Sequence, residues 1–164
     1  MDEFSYAHRN TSGVNKWNKP DIPPELQRIR DGAFAREIPV ARDDSLSFLI
    51  ALAAAVRPRR ILELGTAVGT TAAALAVVCP YAHITTVECD KNFYEEAVRN
   101  FDGLGISPRV CALLGDAGEL ISALEGQFDF IFMDCAKVQY IKLLPRLKQL
   151  LRPGGVLIAD DVLI

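Results

Sequence analysis

Residues Ile61 to Asp90 read ILELGTAVGTTAAALAVVCPYAHITTVECD, and this stretch decides the fold. Ile61 to Leu64 is a short apolar run behind a basic cluster, the pattern of a strand buried on both faces. Gly65 and Gly69 bracket a turn, and Thr70 to Val78 is Ala-rich enough for a helix lying close on a sheet. Pro80 stops that helix, and Ile84 to Val87 forms a second β-branched run that ends on Glu88. Strand, glycine turn, helix and strand with an acid at its tip make a nucleoside-binding crossover.

The glycine spacing narrows the ligand. A dinucleotide loop wants G-x-G-x-x-G, so that backbone N–H groups approach a pyrophosphate. The sequence instead has Glu63-x-Gly65-x-x-x-Gly69 and lacks the middle glycine, which argues against a nicotinamide oxidoreductase. S-adenosylmethionine carries ribose and adenine without a pyrophosphate and fits the turn better. Glu88 is then placed to accept hydrogen bonds from the two ribose hydroxyls. The alternative is a glycine turn of any α/β protein with Glu88 solvated; Glu63, the glycine pair and Glu88 together favour the cofactor.

Working outward, the rest of the chain repeats the alternation. Residues 1–24 are polar and broken by Gly13, Pro20, Pro23 and Pro24, and read as an extended or poorly ordered arm with Trp17 as its one large aromatic. Residues 25–164 read as one domain. Glu25 to Arg36 reads as a charged surface helix, Ile38 to Val40 as an extended link, and Asp43, Asp44 or Ser45 as the cap of an apolar helix running to Val56. Arg57, Arg59 and Arg60 precede strand one and so belong to the end of the sheet away from ligands. Beyond Glu88 come a helix over Lys91 to Leu104, strand three over Val110 to Leu114, a short helix holding Ile121 and Leu124, and strand four over Phe128 to Met133. A helix over Val138 to Leu151, a turn at Pro153-Gly154-Gly155 and strand five over Val156 to Ala159 complete the pattern. The fold class is therefore α/β, a doubly wound parallel sheet.

Composition bounds the function. The chain has 164 residues, 50% of them hydrophobic, enough for one domain with a sizeable core. A formal charge of −3 gives no general basic footprint for nucleic acid. Cys79, Cys89, Cys111 and Cys135 form no C-x-x-C pair, which fits a reducing, cytoplasmic setting. The sequence carries no secretory signal and no stretch of membrane-spanning length, so no membrane partner is expected.

Acids stand at the strand tips: Glu88, Asp116, Asp134, Asp160 and Asp161. In a doubly wound sheet these tips open onto one crevice. Asp116 is placed to reach the adenine amino group. Asp134, Asp160 and Asp161 follow strands four and five, where three carboxylates repel one another unless a cation sits among them; all-oxygen ligation suits Mg²⁺, with Mn²⁺ or Ca²⁺ as alternatives. Lys137, three residues beyond Asp134, would have its pKa lowered by such a cation and would suit a general base for a hydroxyl proton.

The segments ILELGTAVGT, VECD, GDA, FDFIFMDCAKVQY and LLRPGGVLIADDVL together resemble the metal-dependent class I O-methyltransferases, the group of catechol and caffeoyl-CoA O-methyltransferases and their bacterial relatives. The resemblance runs from about Ile38 to the end. It implies a Rossmann-like fold, S-adenosylmethionine and Mg²⁺ as cofactors, and transfer of a methyl group to a metal-chelated hydroxyl. It implies cofactor contacts from Glu63, Gly65, Thr66, Gly69, Glu88, Asp116, Ala117 and Asp134, catalytic roles for Lys137 and Asp134, and metal ligation by Asp134 and Asp160. The group usually has Asp-Asn where this chain has Asp160-Asp161, and Cys135-Ala136 replaces bulkier residues. DCAKVQY and REIPVARDDSLSFL look closest to a bacterial branch that includes tRNA 5-hydroxyuridine methyltransferases. The implied acceptor is 5-hydroxyuridine in tRNA or, alternatively, a small catechol or phenol, since each offers two adjacent oxygens to one cation. A cofactor-binding interaction module without catalysis is the rival of another class. The sequence stops at Ile164, before the two further strands usual in the class I fold, so strand five is expected to be an open edge. Either the sequence is a fragment, or a second copy covers that edge in a homodimer.

Overall fold

The computed structural model describes residues 19–160. Five strands form one parallel sheet in the order β3-β2-β1-β4-β5: β1 Arg60–Leu64, β2 His83–Glu88, β3 Val110–Leu114, β4 Phe128–Met133 and β5 Leu151–Ala159. The chain moves outward in one direction from β1 to β3, then returns to the other side of β1 for β4 and β5. The order therefore reverses between β1 and β4, and a crevice opens at such a reversal.

Among the described residues six α-helices cover the two faces: α1 Pro24–Ala35, α2 Asp43–Val56, α3 Thr70–Val78, α4 Lys91–Gly103, α5 Ala117–Ala123 and α6 Tyr140–Leu150. Alternation along the strands assigns each face its residues. Ile61, Ile84, Phe130 and Phe132 pack with α1 to α4, whereas Leu62, Leu64, Ile131 and Met133 pack with α5 and α6. β1 is buried on both faces at every residue from Ile61 to Leu64, which explains its unbroken apolar run around Glu63. Full burial of each aliphatic side chain contributes about 1.5–3 kcal/mol.

α3 can lie close on the sheet because, Leu75 apart, its buried side chains are small: Thr70, Thr71, Ala72, Ala73, Ala74 and Ala76. Gly69 at its start has φ +84°, and a Cβ there would stand 2.6 Å from the Phe101 ring. That glycine is required by the packing of α4 as well as by the turn.

Several local expectations change. α1 is no simple surface helix: Leu26, Arg30 and Ala33 are buried. The Arg30 guanidinium donates to the Ala41 carbonyl at 2.9 Å and to Asp43 at 2.8 Å, tying α1 to the start of α2. Asp43 is thereby drawn away from capping. The N-cap of α2 is Arg42, without a side-chain cap, while Asp44 accepts from the Ser45 N–H. A 3-10 turn, Lys137–Gln139, precedes α6, so that helix starts at Tyr140 rather than Val138. Pro153 to Gly155 lie inside β5 rather than in a turn before it; the register against β4 shifts between Phe128 and Phe130, and Gly154 takes φ +76° there. At the front, Pro20 is buried and Ile22 packs on the core, so the body begins before residue 25. Trp17 and Asp161 lie outside the described residues. No helix among the described residues is long and apolar enough to cross a membrane.

Candidate active site

A crevice of about 580 Å³ opens at the carboxyl ends of the strands, over the reversal between β1 and β4. Glu88, Asp116, Asp134 and Asp160, each just at or beyond a strand tip, all line it. The parallel register brings this about, because every strand delivers its last residue to the same end of the sheet.

The floor is the turn after β1. The Gly65 and Thr66 N–H groups both donate to the Val87 carbonyl, at 3.0 and 3.2 Å, and the Gly69 N–H closes the turn on the Thr66 carbonyl at 2.8 Å. Gly65 has φ +98°, and a Cβ on it would lie 2.1 Å from the Asp134 carbonyl oxygen. The close approach it permits is thus between β1 and β4. Ala67 sits in the left-handed region at φ +45°, at a cost of about 1–2 kcal/mol for a residue with a Cβ. Its N–H donates to Glu88 Oε2 at 2.7 Å, which offsets the strain. The other oxygen, Oε1, accepts from the Asp90 N–H at 2.9 Å. Glu88 is 8% exposed, so its carboxylate is aimed by two backbone donors at the tip of β2.

Asp116 caps α5, accepting from the Gly118 and Glu119 N–H groups at 2.8 and 3.1 Å on Oδ1, while Oδ2 accepts from Gln139 Nε2 at 3.3 Å. Ala117 follows it and lines the same wall. On the β4 side, Asp134, Cys135, Ala136 and Lys137 line the crevice, with Lys137 exposed at the start of the 3-10 turn. Burial pushes the Cys135 thiol up to about 11, so it stays protonated near neutrality.

Asp134 and Asp160 follow the paired residues Met133 and Ala159, and the Asp160 N–H donates to the Met133 carbonyl at 2.9 Å. The Tyr140 hydroxyl reaches the carbonyls of Met133 at 3.2 Å and Asp160 at 3.0 Å, latching the two tips to α6. Among the described residues no group of three His, Cys, Asp or Glu side chains is close enough to hold a metal. Mg²⁺ commonly takes one or two carboxylates and fills its other positions with water. A pair of carboxylates on adjacent strand tips fits that habit.

One expected contact residue lies elsewhere. Glu63 is fully buried beneath α3 and does not line the crevice; its Oε2 accepts from the Thr86 hydroxyl at 2.5 Å. Thr66 does line it, 3% exposed. Gly69 shapes the turn without being part of the wall. The sequence reading missed the wall contributed by Pro39 to Arg42, between α1 and α2, by Ser45 in the first turn of α2, and by Phe93 on α4. The buried Arg30 explains that wall, since it anchors the Ala41 carbonyl, and an arginine in a charged helix gave no sign of burial.

The O-methyltransferase family model matches residues 20–164. The O-methyltransferase hkm8 of Aspergillus hancockii is 30% identical over 87% of this chain and 58% of its own length. The catechol O-methyltransferase of Mycobacterium tuberculosis is 32% identical over 71% of this chain and 54% of its own. The chain thus spans little more than half the length of these relatives. The SAH-bound crystal structure of the Podospora anserina methyltransferase PaMTH1 superposes with a TM-score of 0.82 at 28% identity, covering 88% of this chain and 65% of that one.

Proposed function

Because this chain belongs to the O-methyltransferase family, we propose that it moves the methyl group of S-adenosylmethionine to a hydroxyl of a small catechol or phenolic acceptor. The observation that carries the reading is the aimed carboxylate of Glu88 beside the Gly65–Thr66 turn, in one crevice with Asp134, Lys137 and Asp160. Each Glu88 oxygen accepts from one backbone N–H, and a carboxylate oxygen has a second lone pair with which to accept from a ribose hydroxyl. Asp116 and Ala117 take the adenine end. The SAH bound to the Podospora relative supports the ligand class.

In the reaction, the acceptor oxygen attacks the methyl carbon, the carbon–sulfur bond breaks, and S-adenosylhomocysteine leaves. Lys137, from the far wall, takes the hydroxyl proton. Asp134 and Asp160 would hold a divalent cation, which when bound supplies positive charge favouring the deprotonated hydroxyl. The walls of the crevice hold donor and acceptor in line.

The relatives named for catechol and caffeoyl-CoA shift the acceptor towards the phenolic alternative and away from 5-hydroxyuridine in tRNA. Among the described residues β5 pairs only with β4, and Val156, Leu157 and Ile158 are half-buried on it; the edge is paired either by a further stretch of chain or by a second copy in a homodimer. Light scattering of purified protein tests that pairing.

The decisive assay gives radiolabelled S-adenosylmethionine to the protein with a catechol, a caffeoyl thioester or bulk tRNA, in Mg²⁺ and in EDTA. Methylation of a phenolic acceptor that EDTA abolishes, and that Asp160→Ala lowers by about a hundredfold or more, is the expected result. Label in tRNA alone would return the acceptor to 5-hydroxyuridine, and full activity in EDTA would remove the cation.

A further inference from the structure

Glu63 is the buried acid that the crevice does not use directly. Its Oε2 lies 2.5 Å from the Thr86 hydroxyl, which lies 2.6 Å from the Thr66 hydroxyl. Thr66 is a wall residue of the crevice. The three side chains thus form a line of hydrogen bonds from the core beneath α3 to the ligand space. Oε1 of Glu63 is buried without a hydrogen-bond partner.

Each hydroxyl carries one hydrogen, so the line has two directions. With Glu63 ionised, Thr86 donates to Glu63 and Thr66 donates to Thr86, and Thr66 turns only lone pairs to the crevice. With Glu63 neutral, its O–H donates to Thr86, Thr86 donates to Thr66, and the Thr66 hydrogen is released towards the crevice. A buried carboxylate with one oxygen unmet is unfavourable, so the geometry itself selects the neutral form. Burial is the main reason that the group is pushed up to about 8, with the charges of Asp134 and Glu88 adding to it; the Thr86 hydroxyl pulls the other way, and so, more weakly, does the Ala72 N–H, which lacks the geometry of a full hydrogen bond. Those two carboxylates, at the ends of β4 and β2, are the charged groups acting on it, and α3 above brings no titratable side chain.

We propose that Glu63 is a positioning residue: its neutral carboxyl turns the Thr86 and Thr66 hydroxyls outward, so that Thr66 donates a hydrogen bond to an acceptor oxygen of a bound S-adenosyl ligand. This rests on the reading of the crevice as an S-adenosyl site. It makes the hydrogen-bonding sense of the crevice floor depend on a residue that never touches the ligand.

The test titrates S-adenosylhomocysteine into the protein by calorimetry, with a chelator present, from neutral to mildly alkaline pH. Wild-type affinity should fall roughly five- to tenfold as Glu63 ionises, about the worth of one hydrogen bond, beyond the change due to the ligand's own amine. Thr66→Val, which lacks the terminal hydroxyl, and Thr86→Val, which cuts the line, should both lose that extra fall. Glu63→Gln, a permanent donor, should bind more tightly than wild type at the alkaline end. Wild-type and Thr66→Val profiles running parallel would overturn the proposal while leaving the S-adenosyl site intact. No binding of S-adenosylhomocysteine at any pH would overturn the site reading and the proposal together.

Discussion

The two ends of the sheet treat their carboxylates in opposite ways. At the amino ends, Asp129 on β4 accepts from the Arg59 and Arg60 N–H groups at 2.6 and 2.7 Å, and its other oxygen is paired with the Arg152 guanidinium. The Arg60 guanidinium also lies 4.7 Å from the centre of the Phe128 ring. That end is closed by the protein's own groups. At the carboxyl ends, Glu88, Asp116, Asp134 and Asp160 surround open space, and the donors that hold Glu88 and Asp116 are uncharged: backbone N–H groups, with the Gln139 amide on Asp116. Such donors aim a carboxylate without neutralising it. One end of the sheet therefore contributes stability, and the other keeps negative charge available for a ligand.

The largest effect that separates the ends is expected from Gly65→Ala. The added Cβ would sit 2.1 Å from the Asp134 carbonyl, at a backbone φ of +98°. No side-chain rotation relieves a clash with backbone, so β1 and β4 must part at the crevice floor. We expect a loss of about 3 kcal/mol or more in unfolding free energy, with S-adenosylhomocysteine binding lost. Denaturant melts and calorimetry measure both, and a variant of wild-type stability would show that the floor is not held by this contact.

The legibility of the chain follows the same division. β1 to β4, and the acids at the tips of β2, β3 and β4, could be read because parallel strands are apolar runs with hard stops at Gly, Pro or an acid. Glu88, Asp116, Asp134 and Asp160 needed only strand order to meet in one crevice. Side-chain direction was harder. Glu63 looks like its neighbours in any motif, yet alternation turns it under α3, where Thr86 receives it. Arg30 sits among exposed charges in sequence, and only the approach of the Ala41 carbonyl reveals why it is buried. The wall from Pro39 to Arg42 depends on that long-range anchor and has no local signature. The β5 bulge was hidden by Pro153-Gly154-Gly155, residues that ordinarily mark a turn.

A smaller and more selective effect is expected from Glu88→Ala. The change removes the proposed ribose acceptor and frees the Ala67 and Asp90 N–H groups, which solvent in the crevice can satisfy. Affinity for S-adenosylhomocysteine should fall by about 1–3 kcal/mol, the range for hydrogen bonds to a charged group, while the fold loses less than in Gly65→Ala, since the bond that offsets the Ala67 strain is removed but no clash is created. Calorimetry decides it: an unchanged affinity would take Glu88 out of the ribose site and weaken the contrast between the ends.

The smallest effect belongs to the closed end, and pH gives it a sign. Burial pushes Asp129 up, but the Arg60 and Arg59 N–H groups and the Arg152 guanidinium outweigh it and hold the carboxyl below its ordinary value of 3.8. A group with a lowered folded-state pKa stabilises the fold above its unfolded pKa and loses that contribution as pH falls through the folded value. Asp129→Asn should therefore cost about 1–2 kcal/mol at neutral pH, the scale of charge-assisted hydrogen bonds. The gap between variant and wild type should narrow as the solution is acidified below the ordinary carboxylate range. Its affinity for S-adenosylhomocysteine should match wild type, because Asp129 sits at the opposite end of β4 from Asp134. Denaturant melts at neutral and acid pH check the first two statements, and calorimetry checks the third. A gap that widened in acid would mean that Asp129 stabilises the fold in its protonated form. A weakened affinity would mean that the two ends of β4 are energetically coupled, and that the closed end helps to set the shape of the open one.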